Sequence, residues 1–169
     1  MSWTIRAAAS ADEDALVAFA AQTFTDTFGT LYPPEELAFF IAQKQAPATR
    51  AAIASPEHIV RLAERDGALI GYLIGGPMDL PYDTQGRSAA CLDRLYLVDA
   101  AKGTGLADAL MGEFLAWGAG RDLYLSVFAP NVRAQAFYRR YGFSIVGAYT
   151  FWVGTTGDDE RIMLRPAGQ

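Results

Sequence analysis

Two glycines separated by a single residue, Gly103 and Gly105, lie at a change in hydrophobic pattern. Apolar residues at 92, 95, 97 and 98 predict a strand before them, and apolar residues at 106, 110, 114 and 117 predict a helix after them. Such a loop presents backbone N–H groups to an anion, and the helix dipole adds roughly half a positive charge. The segment therefore predicts a diphosphate site, although a tight turn without a ligand uses the same residues.

A tyrosine in a second segment could act as a proton donor. Residues 131–143 begin with Asn131, a favourable helix cap, carry Tyr138, and end in Gly142 and Phe143. A phenol has a pKa near ~10, so it is neutral at pH 7 and can protonate a leaving group. A tyrosine that packs under a sheet fits the same pattern, and both interpretations stay open at this point.

The two segments together resemble the GNAT family of acyl-CoA-dependent N-acetyltransferases. The family's diphosphate loop runs Gln/Arg-x-x-Gly-x-Gly/Ala; Gly105 and Ala107 match its later positions, and Lys102 stands where Gln or Arg is usual. The second motif, Asn-x-x-Ala-x-x-x-Tyr-x-x-x-Gly-Phe, is matched in full by residues 131–143. The resemblance implies acetyl-CoA as cosubstrate, held along a strand end, the glycine loop and the second helix by Leu95, Tyr96, Leu97, Lys102, Gly103, Thr104, Gly105, Leu106, Ala107, Asn131 and Phe137.

The implied reaction needs a base as well as an acid. A lysine-like amine has a pKa near ~10.4, so the site must remove a proton before the amine can attack the thioester. By resemblance, Tyr138 donates a proton to the departing sulfur. Family members often carry a carboxylate at the place of Cys91, which leaves Asp93, on the same face of the strand, as the candidate base, directly or through water. A solvated Asp93 is the alternative, and Cys91 is expected to be a small buried residue.

Aromatic residues and carboxylates indicate where the acceptor binds. Phe24, Phe28 and Tyr32 recur every four residues, which places them along one helix side and its exit. The stretches 23–32 and 149–163 resemble a bacterial GNAT branch that includes polyamine acetyltransferases. The carboxylates Asp26, Asp158, Asp159 and Glu160 lie in the same two stretches. Together with the aromatic residues they would suit a small cationic amine, with Asp158 and Asp159 as the binding acids and a polyamine as first candidate. A buried aromatic face is the alternative interpretation.

The order of predicted elements positions these residues on a mixed sheet. Two amphipathic helices, the second beginning at residues 33–36, and a short helix over 47–54 separate a first strand, 3–6, from a hairpin, 58–64 and 68–75. After a loop, 76–88, the pattern predicts strand 89–98, helix 105–118, strand 122–128, helix 131–141, strand 143–153, a turn at 155–159 and strand 160–165. This order predicts an α/β fold, and the resemblance implies a mostly antiparallel sheet with flanking helices, in one domain over residues 1–169.

Composition excludes several other classes. A net charge of −5 argues against nucleic-acid binding, and no apolar run has the length of a membrane span. One cysteine and no secretory signal pattern lead us to expect a cytoplasmic protein, and one histidine gives no metal-ligand cluster, so no metal is expected. A monomer and a homodimer both stay open.

The leading hypothesis is an acetyl-CoA-dependent N-acetyltransferase acting on a small cationic amine by direct attack. The alternatives are a protein or peptide N-acetyltransferase and a non-catalytic acyl-CoA-binding domain. A dinucleotide-binding domain is weaker, because no Gly-x-Gly-x-x-Gly with a ribose-binding acid is present near the N-terminus.

Overall fold

Seven strands form one mixed, mostly antiparallel sheet in the computed structural model, which describes residues 2–169. The strands are β1 (Thr4–Ala7), β2 (Ile59–Arg65), β3 (Ala68–Pro77), β4 (Ala89–Leu97), β5 (Asp122–Phe128), β6 (Ser144–Val153) and β7 (Thr156–Arg165). Their order across the sheet is β1-β2-β3-β4-β5-β7-β6. Among these seven strands of residues 2–169, only β4 and β5 pair in parallel. The predicted α/β class and the mostly antiparallel sheet are thus confirmed.

Helices cover both faces of the sheet. On one face are α1 (Glu13–Phe28), α2 (Pro34–Phe40), a π-helical turn (Ile41–Gln45) and α3 (Ala46–Ala54). The opposite face carries α4 (Leu106–Trp117) and α5 (Val132–Arg139). Leu106, Leu110 and Phe114 of α4 are fully buried against the sheet, because their spacing puts them on one side of the helix. No helix in residues 2–169 is both long enough and apolar enough to cross a membrane.

The two central strands separate partway along their length. β4 pairs with β5 only over Ala89–Leu92, opposite Asp122–Leu125. On its other side β4 stays paired with β3, but with a bulge: Ile74 lies opposite Arg94 and Gly75 opposite Leu92. Asp93 is therefore the extra residue of a β-bulge. Bulges commonly re-aim side chains next to active sites.

The last hairpin differs from the sequence prediction. The turn expected at 155–159 is wrong, because β6 ends at Val153 and β7 already begins at Thr156. Gly154 has φ +56°, which allows the tight turn between the strands. Gly157 and the two aspartates after it are typical turn residues, but here they lie within β7 and pair with β6. Asp158 and Asp159 consequently point to opposite faces of the sheet.

Candidate active site

A cavity of about 1050 Å³ lies where β4 and β5 diverge. Its walls come from α1, the π-helical turn and α3 on one side and from α5 on the other, with β4, β5 and the β6–β7 hairpin between them. Both segments that the sequence singled out line it, the glycine loop at one end and the Tyr138 helix alongside. The structure thus brings the predicted phosphate-binding loop and the predicted proton donor to one cavity.

The glycine loop is shaped to receive an anion. Gly103 and Gly105 have φ +75° and +83°, and a Cβ on either would meet nothing within 4 Å. Gly105 caps α4, and the first amide to bond back to its carbonyl is that of Ala109, at 3.1 Å. The amides of the first helical turn before Ala109 therefore have no acceptor within the helix. Their N–H groups can bind the diphosphate of CoA.

The other residues of the loop divide into two groups. Lys102 and Ala107 line the cavity, and Lys102 also bonds Asp99 at 2.6 Å. Thr104 and Leu106 do not line it, because the Thr104 hydroxyl donates to the Ala101 carbonyl and the Leu106 side chain is fully buried in the core. These two residues can contribute only backbone groups to a bound cosubstrate.

The unpaired edge of β4 runs along the cavity, where the cosubstrate is expected to lie. Leu95, Tyr96 and Leu97 line the cavity beyond the last residue that pairs with β5, so the backbone groups on that edge have no strand partner. Asn131 and Phe137 line the opposite side. The Asn131 side chain also accepts from the Ala134 amide at 3.1 Å, so it caps α5 as predicted.

Tyr138 is suited to hold a proton at neutral pH. It lines the cavity and packs edge-on against Phe137 and Phe143, with ring centroids 5.5 and 6.1 Å away. Burial raises the pKa of Tyr138 to about 12. The hydroxyl therefore stays protonated at pH 7 and can donate its proton to a thiolate.

Asp93, the bulge residue, lies in a group of acids on the β4 wall. A carboxylate oxygen of Asp93, one of Asp79 and the Cys91 sulfur are all within 4.8 Å of one another. Partial removal from water and repulsion from Asp79 raise the pKa of Asp93 to about 7. Burial, together with the charge of Asp93, raises the pKa of the Cys91 thiol far above its usual value, so Cys91 is not a thiolate acyl carrier. The same three atoms could hold a metal ion, so a metal-free site stays a prediction.

Aromatic side chains close the end of the cavity nearest α1. Phe24, Phe28 and Tyr32 all line it, and the ring centroids of Phe28 and Tyr32 lie 5.2 and 6.2 Å from that of Phe24. The same rings belong to a packed cluster with Leu37 and Val153. The core and cavity-lining interpretations therefore both apply to these residues.

The structure does not bring Asp158 and Asp159 into the cavity. Asp158 is buried and accepts a hydrogen bond from the Tyr32 hydroxyl, and Asp159 is exposed on the other face of β7. Glu160, two residues after Asp158, lines the cavity instead. Burial and repulsion from Asp158 raise the pKa of Glu160 to about 7. Of the carboxylates that the sequence placed near the acceptor, Glu160 is thus the one that lines the cavity, because side chains alternate along β7.

The geometry is that of an enzyme that binds a thioester with a diphosphate tail and transfers its acyl group. Residues 14–143 match the profile of the Acetyltransferase (GNAT) family, and the chain belongs to this family of acetyl-CoA-dependent N-acetyltransferases.

Similar proteins agree with this assignment. An uncharacterised N-acetyltransferase of Mycobacterium tuberculosis is 35% identical over 162 residues, covering 91% of this chain and 97% of the relative. An uncharacterised N-acetyltransferase of Lactobacillus delbrueckii is 28% identical over 144 residues, 82% of each chain. One similar solved structure is that of PaiA N-acetyltransferase from Thermoplasma acidophilum in complex with coenzyme A. Its TM-score is 0.74 at 22% sequence identity, and the match covers 98% of this chain and 99% of the PaiA chain. Ribosomal-protein-alanine N-acetyltransferase from Brucella melitensis has a TM-score of 0.65 at 23% sequence identity. The match covers 96% of this chain and 99% of the Brucella chain.

Gly105→Glu should weaken CoA binding by about 100-fold, because it puts a carboxylate beside the diphosphate. Gly86→Glu is the matched control: Gly86 also has a positive φ, +73°, and open space for a Cβ, but it does not line the cavity. Titration calorimetry with CoA measures both affinities. If Gly105→Glu binds CoA as tightly as Gly86→Glu does, the loop is only a turn.

Tyr138→Phe should keep CoA affinity and lower kcat by about 100-fold, the loss typical of a general acid. Tyr82→Phe, which removes a hydroxyl outside the cavity, is the control. Thiol release at saturating substrates measures kcat. If Tyr138→Phe turns over as fast as the control, Tyr138 is a packing residue and water protonates the thiolate.

Proposed function

We propose that this enzyme transfers the acetyl group of acetyl-CoA to a small primary amine that binds as its ammonium ion. The observation that carries the proposal is the acidic lining of the acceptor half of the cavity: Asp79, Asp93 and Glu160 all face it. Ion pairing with these carboxylates favours an ammonium over a neutral or anionic group.

Two contacts that cover the acceptor side of the cavity favour a small-molecule acceptor over a peptide acceptor. The Tyr32 hydroxyl donates to Asp158, which joins the exit of α1 to β7. Glu36 of α2 accepts from the Thr155 hydroxyl at 2.8 Å and from the Thr155 amide at 3.1 Å. Together they tie the α1–α2 segment to the β6–β7 hairpin. An extended peptide needs an open groove. These contacts cover the acceptor side of the cavity and therefore support a compact acceptor.

The residues support a direct transfer. Asp93 takes a proton from the ammonium, whose nitrogen then attacks the acetyl carbonyl carbon. N–H groups on the unpaired edge of β4 stabilise the oxyanion. As the C–S bond breaks, Tyr138 gives its proton to the thiolate. The nitrogen then loses its second proton, which returns through water to the Tyr138 phenolate and leaves a neutral amide. With an amine pKa of ~10.4 and the Asp93 pKa at about 7, the first proton transfer costs roughly 5 kcal/mol.

The polyamine hypothesis loses part of its support. Asp158 is occupied by Tyr32, and Asp159 faces away from the cavity, so neither carboxylate is placed to bind a second ammonium. A polyamine is therefore one small amine among several to test. We also propose that residues 1–169 act as a single domain, since both motifs lie against one sheet, and that the protein is cytoplasmic, since Cys91 suits a reducing compartment.

The test is a screen of purified enzyme with acetyl-CoA against polyamines, amino acids, aminoglycosides and peptides with free N-termini. Thiol release measures the rate, and the rate without acceptor is subtracted. We expect a small primary amine to give the highest kcat/KM. Turnover with peptides alone would favour the protein N-acetyltransferase alternative, and CoA binding without any turnover would favour a non-catalytic domain.

The pH dependence should identify the base. A base acts when it is ionised, so kcat/KM should rise with pH through about 7, the pKa of Asp93. Asp93→Asn should lower kcat/KM and remove this rise, whereas Glu160→Gln, which removes a carboxylate of similar pKa in the same cavity, should keep it. The reverse result would assign the base to Glu160.

A further inference from the structure

Arg94 is a half-buried charge that has no ion-pair partner. It takes part in none of the ion pairs found in residues 2–169. Its Nη1 donates to the Thr49 hydroxyl at 2.7 Å and its Nη2 donates to the Gln45 carbonyl at 3.5 Å. A guanidinium has five N–H groups, so several stay available. Asp93 attracts Arg94 from beyond ion-pair distance, so an anion in the cavity would be the first group to pair with the guanidinium directly.

The bulge puts Arg94 beside Asp93 on one face of β4. Consecutive residues of a regular strand point to opposite faces. Here Asp93 lies near Cys91 and Asp79, Arg94 reaches the neighbouring α3 segment, and both line the same cavity. No oxygen of Asp93 comes within 4.0 Å of the Arg94 guanidinium. The acceptor half therefore presents an anionic and a cationic group side by side.

A buried acceptor atom next to Arg94 also lacks a partner. Gln45 is only 6% exposed, lines the cavity, and has its side-chain Oε1 buried without a hydrogen bond. The Tyr72 hydroxyl, on the strand paired with β4, is buried outside the cavity and interacts with Arg94 and Thr23. Buried polar groups are nearly always satisfied, so an unpaired atom such as the Gln45 Oε1 commonly marks the place of a ligand or an ordered water. Lys44, from the same π-helical turn as Gln45, adds a second cation to this wall.

We propose that the acceptor carries a carboxylate next to its amine, as an α-amino acid does. Arg94 binds the carboxylate through its planar fork, while Asp93 receives the ammonium. The inference rests on the proposed amine acetylation and narrows its substrate class. A simple diamine or polyamine would leave Arg94 uncompensated and would place a positive charge beside it.

Assays of the wild-type enzyme with matched acceptors test whether a carboxylate next to the amine improves the acceptor. Each series contains an amino acid, its amide and its decarboxylated amine: lysine, lysinamide and 1,5-diaminopentane; phenylalanine, phenylalaninamide and phenethylamine. In the series the enzyme uses best, kcat/KM should be about 10- to 100-fold higher for the amino acid, the size expected for a lost charge-assisted contact. An equal or higher value for the amide or the amine in both series would overturn the inference and leave amine acetylation intact. No turnover with any amine would overturn both.

Variants then locate the contact. Arg94→Gln should raise KM for the preferred amino acid by about 10- to 100-fold and leave KM for its amide and for acetyl-CoA unchanged. Arg94→Lys, which keeps the charge but loses the fork, should recover part of the loss. Arg121→Gln removes the same charge outside the cavity and is the control. Circular dichroism checks folding; a folded Arg94→Gln with unchanged amino-acid KM contradicts the role of Arg94.

Discussion

The end of pairing between β4 and β5 is the constraint on which the rest of the structure depends. Beyond Leu92 and Leu125 the two strands no longer share hydrogen bonds, yet each stays paired on its outer side, with β3 and β7. The sheet therefore opens without falling into two parts. Each backbone group freed on the inner edges would cost about 1–3 kcal/mol if it were buried without a partner. A ligand rich in amides, such as the pantetheine arm of CoA, can satisfy those groups.

Reduced hydration in this opening sets the proton chemistry of its walls. The same effect raises the pKa of Tyr138 to about 12 and the pKa of both Asp93 and Glu160 to about 7. The consequences differ, because a phenol that is harder to ionise is a secure proton carrier, while a carboxyl of higher pKa is a stronger base when ionised. One physical cause thus suits Tyr138 to its proposed role as acid and Asp93 to its proposed role as base.

The sequence predicted most of this molecule where local chemistry decides the structure. The glycine loop, the Asn131 cap and the order of helices and strands along the chain follow from residue types and periodicity, and residues 122–128 form the predicted strand without change. Prediction failed where register decides. In the last hairpin, residues 157–159 are of types that favour turns, so the sequence did not predict that they lie in a strand. The face of the sheet on which Glu160 lies was therefore not predicted. The bulge at Asp93 depends on the pairing with β3, which no local pattern contains, so the placement of Arg94 could not be foreseen.

Two single-residue insertions face each other across the acceptor half of the cavity. One is the bulge at Asp93, and the other is the π-helical turn Ile41–Gln45, whose final carbonyl accepts from Arg94. A π-helical turn holds one residue more than an α-helix of the same span, as a bulged strand holds one more than its partner. Gain or loss of a single codon at either place would therefore change the direction of the side chains that contact the acceptor. The surrounding strands and helices would stay in register. Relatives could in this way change acceptor through insertions and deletions, with no substitution in the cavity wall.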